Sequence, residues 1–247
     1  MVEEPIITPS QFLSADGITT KDNQGEVAIV AFCPFYAMKE KAGARPLERS
    51  LFVHIDVAHQ FKADINGQSV LMVDCVYGGP VCATLLEEMA YLGVKRVVGY
   101  GYSGSLRRNI APGTIVIASS GIISDGTSRE YCEDREVAAS AELLSIYERL
   151  SSSLRFEAIT GRAWTTDAIY REYPSKVRSW AQAGADFVNM DTSHFYCVSR
   201  AVGIEAIYFS LISDYVSGDT WHQGFSSVPE SINRLQDLIL RLIAMLQ

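Results

Sequence analysis

The sequence predicts an α/β fold: a single three-layer domain over residues 1–247, built on a twisted, mixed, mostly parallel sheet flanked by helices. Short apolar runs rich in β-branched residues alternate with amphipathic helical patterns, the order expected of strands covered by crossover helices. A chain of 247 residues can bury one large core. No internal repeat or low-complexity linker divides it.

Strands are expected at 27–32, 70–73, 96–100, 114–118, 158–160 and 206–212, and helices at 80–92, 141–150, 173–183, 192–202 and 228–246. In the first helix, Pro80 suits an initial helical position, and Val81, Leu85, Met89 and Leu92 recur at helical spacing before Gly93. The last carries Ile232, Leu235, Leu238, Ile239 and Leu242 on one side, the pattern of a packed terminal helix. The polar stretches 19–26 and 126–136 read as surface loops.

Composition narrows the function classes. The formal charge of −8 disfavours a nucleic-acid surface, and the densest basic pair, Arg107-Arg108, is isolated. Five widely spaced cysteines include no Cys-x-x-Cys and no Cys/His pair at zinc spacing, so reduced, mostly buried thiols are expected, with no metal and no cofactor. The N-terminal residues lack the basic and apolar regions of a signal peptide, and no apolar run approaches the roughly 18 residues of a membrane span. These readings place the chain in the cytoplasm, with a small molecule as its partner rather than nucleic acid or membrane.

Two acids stand out. Asp214 follows the apolar run Ala206-Ile207-Tyr208-Phe209-Ser210-Leu211-Ile212-Ser213, so a strand delivers it to the sheet's carboxyl edge, where ligands of open α/β sheets collect. Burial there would raise its pKa and let it donate a proton; the alternative is an acid capping the next turn. Asp191 precedes a helix opened by Thr192 and Ser193. A carboxylate accepts two hydrogen bonds at once, which matches a cis diol, whereas a plain helix cap is the other reading. Met190 could wall the flat face of a sugar. His194, in a helix's first turn, is expected to be partly exposed and structural, and His222, in the 218–224 loop, is the better pocket candidate.

Met190-Asp191-Thr192 followed by Ser213-Asp214 resembles the Met-Glu-[Thr/Ser/Ala] and Ser-Asp pair of the nucleoside phosphorylase and nucleosidase superfamily. Five further stretches agree in order: Gly78-Gly79-Pro80, Gly101-Tyr102-Ser103-Gly104-Ser105-Leu106, Pro112 to Ala118, Asp125-Gly126-Thr127-Ser128, and Thr165-Thr166-Asp167-Ala168-Ile169-Tyr170. The resemblance implies cleavage of a nucleoside N-glycosidic bond. It implies Asp214 as the acid that protonates the leaving base, and Asn189, Met190 and Asp191 at the sugar. Ser103 and Gly104 would edge a base pocket walled by Ile169 and Tyr170. It further implies a homo-oligomer, a dimer or a trimer of dimers.

The resemblance breaks at phosphate. The family's phosphorylases hold phosphate with a Gly-Asp-Pro-x-Arg turn, an Arg two positions before the first glycine of the Gly-Thr turn, and that Thr. Here Phe32 stands for the glycine, Tyr36 for the first arginine, Gly99 for the second and Tyr102 for the threonine. A phosphate dianion needs guanidinium forks and N–H groups to replace its hydration. Hydrolysis is therefore expected; phosphorolysis at an atypical site and a non-catalytic nucleoside binder are the alternatives. Arg45 and Arg49 are candidates for an arginine shared between subunits, and Asp191 is one methylene shorter than the usual Glu.

Overall fold

A computed structural model describes residues 5–154, 156, 158–217 and 220–246. Its centre is the strand β1 (Val27–Ala31), buried throughout, whose side chains alternate between two helical layers. Val27, Ile29 and Ala31 face one core, and Ala28 and Val30 the other. Parallel neighbours lie on both sides: β4 (Gln68–Val73) and β5 (Arg96–Ser105). Beyond β4 run the antiparallel β3 (Gln60–Ile65) and the short β2 (Arg45–Pro46).

On the other side the sheet curls. β5 pairs in parallel with β10 (Glu205–Tyr215) and antiparallel with β9 (Phe187–Asn189); β10 also pairs antiparallel with β6 (Ile115–Ile122), and β6 reaches β9 through β8 (Ile159–Thr165). These five strands form a closed ring at one end of a mixed, eleven-stranded sheet. β7 (Glu136–Ala138) extends β6, and β11 (His222–Gln223) extends β10.

The helices cover the sheet by apolar complementarity. α3 (Gly79–Tyr91) and α7 (Thr192–Ala201) bury Leu85, Leu86, Met89, Phe195 and Val198 on one face. On the other, α5 (Ala141–Leu154) and α8 (Val228–Ile243) bury Leu143, Ile146, Leu235, Ile239 and Leu242. Each such aliphatic side chain contributes about 1.5–3 kcal/mol when withdrawn from water. α6 (Pro174–Gln182) packs Val177 and Trp180 on Trp164 in a smaller cluster. α1 (Pro9–Ala15), α2 (Met38–Lys41) and α4 (Gly126–Tyr131) complete the order. No helix of the described residues is long and apolar enough to cross a membrane.

Every expected strand and helix is present, but several are longer than their apolar runs. Residues 101–105, read as a glycine turn, continue β5 because β9 and β10 pair with them. The stretch 126–136 is no simple loop: Asp125 caps α4 by accepting the Ser128 N–H at 2.8 Å. Within 19–26, residues Thr20–Asp22 form a capped 3-10 turn. The unforeseen β3 is polar on its outer face, with Lys62 and Asp64 exposed, which hides its alternation among loop-like residues.

Candidate active site

The site lies at the carboxyl ends of β1, β5 and β10, where a register irregularity between Ile212 and Asp214 lifts the end of β10 out of regular pairing. Asp214 is half-buried, on the strand rather than after it. Its Oδ1 accepts the Ser213 hydroxyl at 2.6 Å and its Oδ2 accepts the Trp221 indole N–H at 2.8 Å. This bonding differs from a turn-capping acid, because both donors are side chains. Beside it stands Glu172, half-buried after the 3-10 turn Ile169–Arg171. Burial first, and then the negative charge of Asp214, push the Glu172 carboxyl up to about 7 against the opposing pull of Lys176.

Asp191 begins α7 but does not cap it: its side chain makes no capping hydrogen bond, and Oδ2 instead accepts the Tyr208 hydroxyl at 2.8 Å. Burial raises its pKa to about 6, opposed by His194 and by the Tyr208 hydrogen bond. Asn189 does the capping. Its Oδ1 accepts the N–H groups of Asp191 and Thr192, each at 3.2 Å, while Nδ2 donates to the Thr192 hydroxyl at 2.8 Å and the Ser103 hydroxyl at 3.2 Å. Ser103 also shares a 2.6 Å hydrogen bond with Ser210. The sugar-side and base-side expectations thus meet in one buried network across β5, β9, α7 and β10.

The remaining expected residues are placed less uniformly. Gly104 lies opposite Asp214 in the β5–β10 register, so a side chain there would press on Oδ2 at 3.1 Å. Met190 is half-buried between Asn189 and Asp191. Ile169 and Tyr170 project from a single chain, Tyr170 being 91% exposed. His194 is fully buried, contrary to its expected partial exposure, because α7 is packed between the sheet and the helices α3 and α4; its Nδ1 lies 3.8 Å from Asp125 Oδ1 and neither ring nitrogen has a hydrogen-bond partner among the described residues. His222 is exposed on β11 and hydrogen-bonds Thr220 at 2.8 Å; Gly218 and Asp219 of that loop lie outside the described residues.

Aromatic rings crowd Phe32 and Gly99, two of the positions at which the sequence departs from the family pattern. The buried Phe32 packs on Tyr208 and Phe195, with ring centroids 5.6 and 5.8 Å away. At Gly99 a Cβ would come within 2.8 Å of both the Phe195 and Tyr208 rings, so an arginine there has no room. Tyr102 is half-buried, its hydroxyl near Tyr36 and its ionisation strongly disfavoured by burial, then by Cys33 and Tyr36. Tyr36 is 54% exposed and adopts φ +48°. Behind the turn, Asp74 Oδ2 accepts the backbone N–H of Phe35 at 2.8 Å, placing a buried carboxylate against the segment after β1. Arg49 pairs with Asp22 of its own chain.

Tyr208, Trp221, Glu172 and Asp74 escaped the sequence reading. Tyr208 sits inside an apolar run like any core aromatic, and Trp221 lies in a loop without a motif. Asp74 carried a readable signal, since it follows the apolar strand β4 just as Asp214 ends β10.

Comparison with known proteins agrees with this architecture. A protein of Acanthamoeba polyphaga mimivirus, "Uncharacterized protein R802", is 29% identical over 94% of this chain and 91% of its own length. A DeoD-type purine nucleoside phosphorylase of Caldanaerobacter subterraneus is 25% identical over 77% of this chain and 84% of its own. In structure, the chain superposes with TM-score 0.75 on the Campylobacter jejuni 5'-methylthioadenosine/S-adenosyl homocysteine nucleosidase, at 13% identity and covering 90% of this chain and 100% of the other. It superposes equally, at TM-score 0.75 and 18% identity, on the purine nucleoside phosphorylase of Toxoplasma gondii, covering 91% of each chain. The profile of the Phosphorylase superfamily matches residues 26–245, and the chain belongs to that superfamily.

Proposed function

We propose that this protein cleaves the N-glycosidic bond of a nucleoside or nucleoside-like substrate and transfers the sugar to water. Membership of the superfamily supports the bond cleaved. The observation that favours water is the packing at Gly99, where Phe195 and Tyr208 occupy the volume an arginine would need.

In this reading the C1′–N bond breaks with its electron pair passing to the base, and Asp214 delivers a proton to the base, with the Glu172 carboxyl, raised to about 7, as the neighbouring acid. The water oxygen bonds to C1′ and releases a proton to the vacated carboxylate or to solvent. Asp191 and Met190 hold the sugar, Asn189 fixes the helix end that carries them, and Ser103 and Gly104 shape the inner wall of the base pocket. Ile169 and Tyr170 complete that pocket in a homo-oligomer, where a second copy covers their exposed faces. Five free cysteines suit the reducing cytoplasm.

The test is release of free base from a panel of purine and pyrimidine nucleosides in phosphate-free buffer, with Asp214→Asn alongside. Phosphate-independent release that falls roughly 10²–10⁴-fold in the variant supports the proposal. Binding without turnover would identify a nucleoside-binding protein, and turnover that requires phosphate would identify a phosphorylase.

A further inference from the structure

The carboxyl end of β4 carries a second group of reactive side chains that the reaction above does not use. Asp74 and Cys75 follow Val73 at the end of β4, and His59 immediately precedes β3. The antiparallel register Gln60↔Val73 sets His59 opposite Asp74, and the Asp74 N–H donates to the His59 carbonyl at 3.1 Å. Their side chains meet as well, with His59 Nδ1 2.7 Å from Asp74 Oδ1. Asp74 is 2% exposed, and its other oxygen is taken by the Phe35 N–H. Cys75 adopts φ +58°, a conformation uncommon outside glycine. With that backbone its thiol joins the pair: one donor atom from each of His59, Asp74 and Cys75 lies within 4.8 Å of the others.

An ion pair between His59 and Asp74 would explain two of these residues as a tie between strand ends. It leaves the left-handed cysteine beside them unexplained. Imidazole, carboxylate and thiolate together are the donor set of zinc and its chemical neighbours. We propose that His59, Asp74 and Cys75 bind a divalent cation of the zinc class, with three protein ligands and a fourth coordination position open. Bonds of roughly 2.0–2.3 Å to a tetrahedral ion require ligand atoms closer together than the present outer spacing. The imidazole supplies the movement by exchanging its contact with Asp74 for the ion, since its side chain is 42% exposed, whereas the buried carboxylate is held by the Phe35 N–H. Such a cation is bound by the thiolate form of cysteine and the neutral form of imidazole, so its binding releases protons.

The test uses the full-length chain stripped of metal by chelator. Zinc is titrated in competition with a chromophoric chelator, and cobalt(II) serves as a spectroscopic probe. One equivalent of zinc is expected, and the cobalt form should show a near-ultraviolet thiolate-to-cobalt charge-transfer band. Cys75→Ser should abolish that band. Both Cys75→Ser and His59→Gln should weaken zinc binding by at least the roughly 10–100-fold that follows loss of a mere supporting partner. Because His59 is half-exposed, its substitution tests the site in a folded chain even if Cys75→Ser unfolds, and circular dichroism of the metal-free variants verifies this. Absence of stoichiometric zinc binding, a cobalt spectrum without the thiolate band, or parental affinity in His59→Gln would overturn the assignment.

Discussion

The hydroxyl of Tyr208 donates to Oδ2 of Asp191 across 2.8 Å, and both groups are buried. This bond joins the aromatic packing to the acid at the head of α7, because the same Tyr208 ring stands against Phe32 and blocks the side-chain space of Gly99. The residue that leaves no room for a phosphate arginine also orients the carboxylate proposed to hold the sugar.

Tyr208→Phe preserves the ring and removes that donor. The Asp191 pKa, already raised to about 6, should rise further, because the lost hydrogen bond was lowering it. Stability should fall by about 1–2 kcal/mol at pH 8, where the carboxylate is charged, and by less at pH 5, where it is protonated. Urea unfolding at the two pH values checks both the loss and its direction.

Gly99→Ala places a methyl within 2.8 Å of two rings whose positions are fixed by the core. Overpacking of this kind costs roughly 1–3 kcal/mol. Thermal denaturation should register it, and Gly99→Arg should be worse still and confer no phosphate affinity by calorimetry.

Asn189→Ala removes the acceptor for two N–H groups at the start of α7 and the donor to Ser103. Loss of such a cap costs about 0.5–2 kcal/mol, and the loosened Asp191 should raise KM more than it lowers kcat. Steady-state kinetics beside a denaturation curve separates the two effects.

Glu88 and Asp191 give stability an acidic bias. Burial pushes Glu88 up to about 7 and Asp191 to about 6. A carboxyl whose folded pKa exceeds its unfolded value binds more protons when folded, so its contribution is full below the unfolded pKa and is lost as pH rises through the folded one. The chain should therefore be more stable near pH 5.5 than at pH 8. Glu88→Gln, which retains an acceptor for the Val53 N–H, should flatten that slope and stabilise the protein at pH 8 by about 1–2 kcal/mol.

Glu172 sets the alkaline side of activity. Its carboxyl, raised to about 7 by burial and by the charge of Asp214, keeps its proton up to that pH. Turnover should decline as pH rises through that value, and in Glu172→Gln the decline near pH 7 should disappear. A pH profile of kcat/KM for both proteins decides it.

How much of this was legible follows from what each residue must do locally. Asp214 could be read because an unbroken apolar strand ends in an acid, and Met190 and Asp191 because they precede a helix opened by Thr192 and Ser193, whereas Asn189 is marked by the family resemblance alone. The same rule marks Asp74 at the end of the expected strand 70–73, but nothing local shows that β3 brings His59 beside it, because Lys62 and Asp64 disguise the alternation of that strand. Residues 101–105 read as a turn because they include two glycines, whereas the structure uses the small Gly99 and Gly101 to admit Tyr208 beside an extended strand. Asp191 resembled a helix cap, since sequence cannot reveal a tyrosine hydroxyl 17 residues away competing for its carboxylate. Tertiary packing, invisible to local pattern, decides each of these.

Reaction in oxygen-18 water tests the central claim most directly, using a nucleoside that the protein turns over and inorganic phosphate in excess. Hydrolysis by the Asp214 site predicts free sugar carrying the label at C1, with no dependence on phosphate. Unlabelled sugar 1-phosphate as the product would contradict the account.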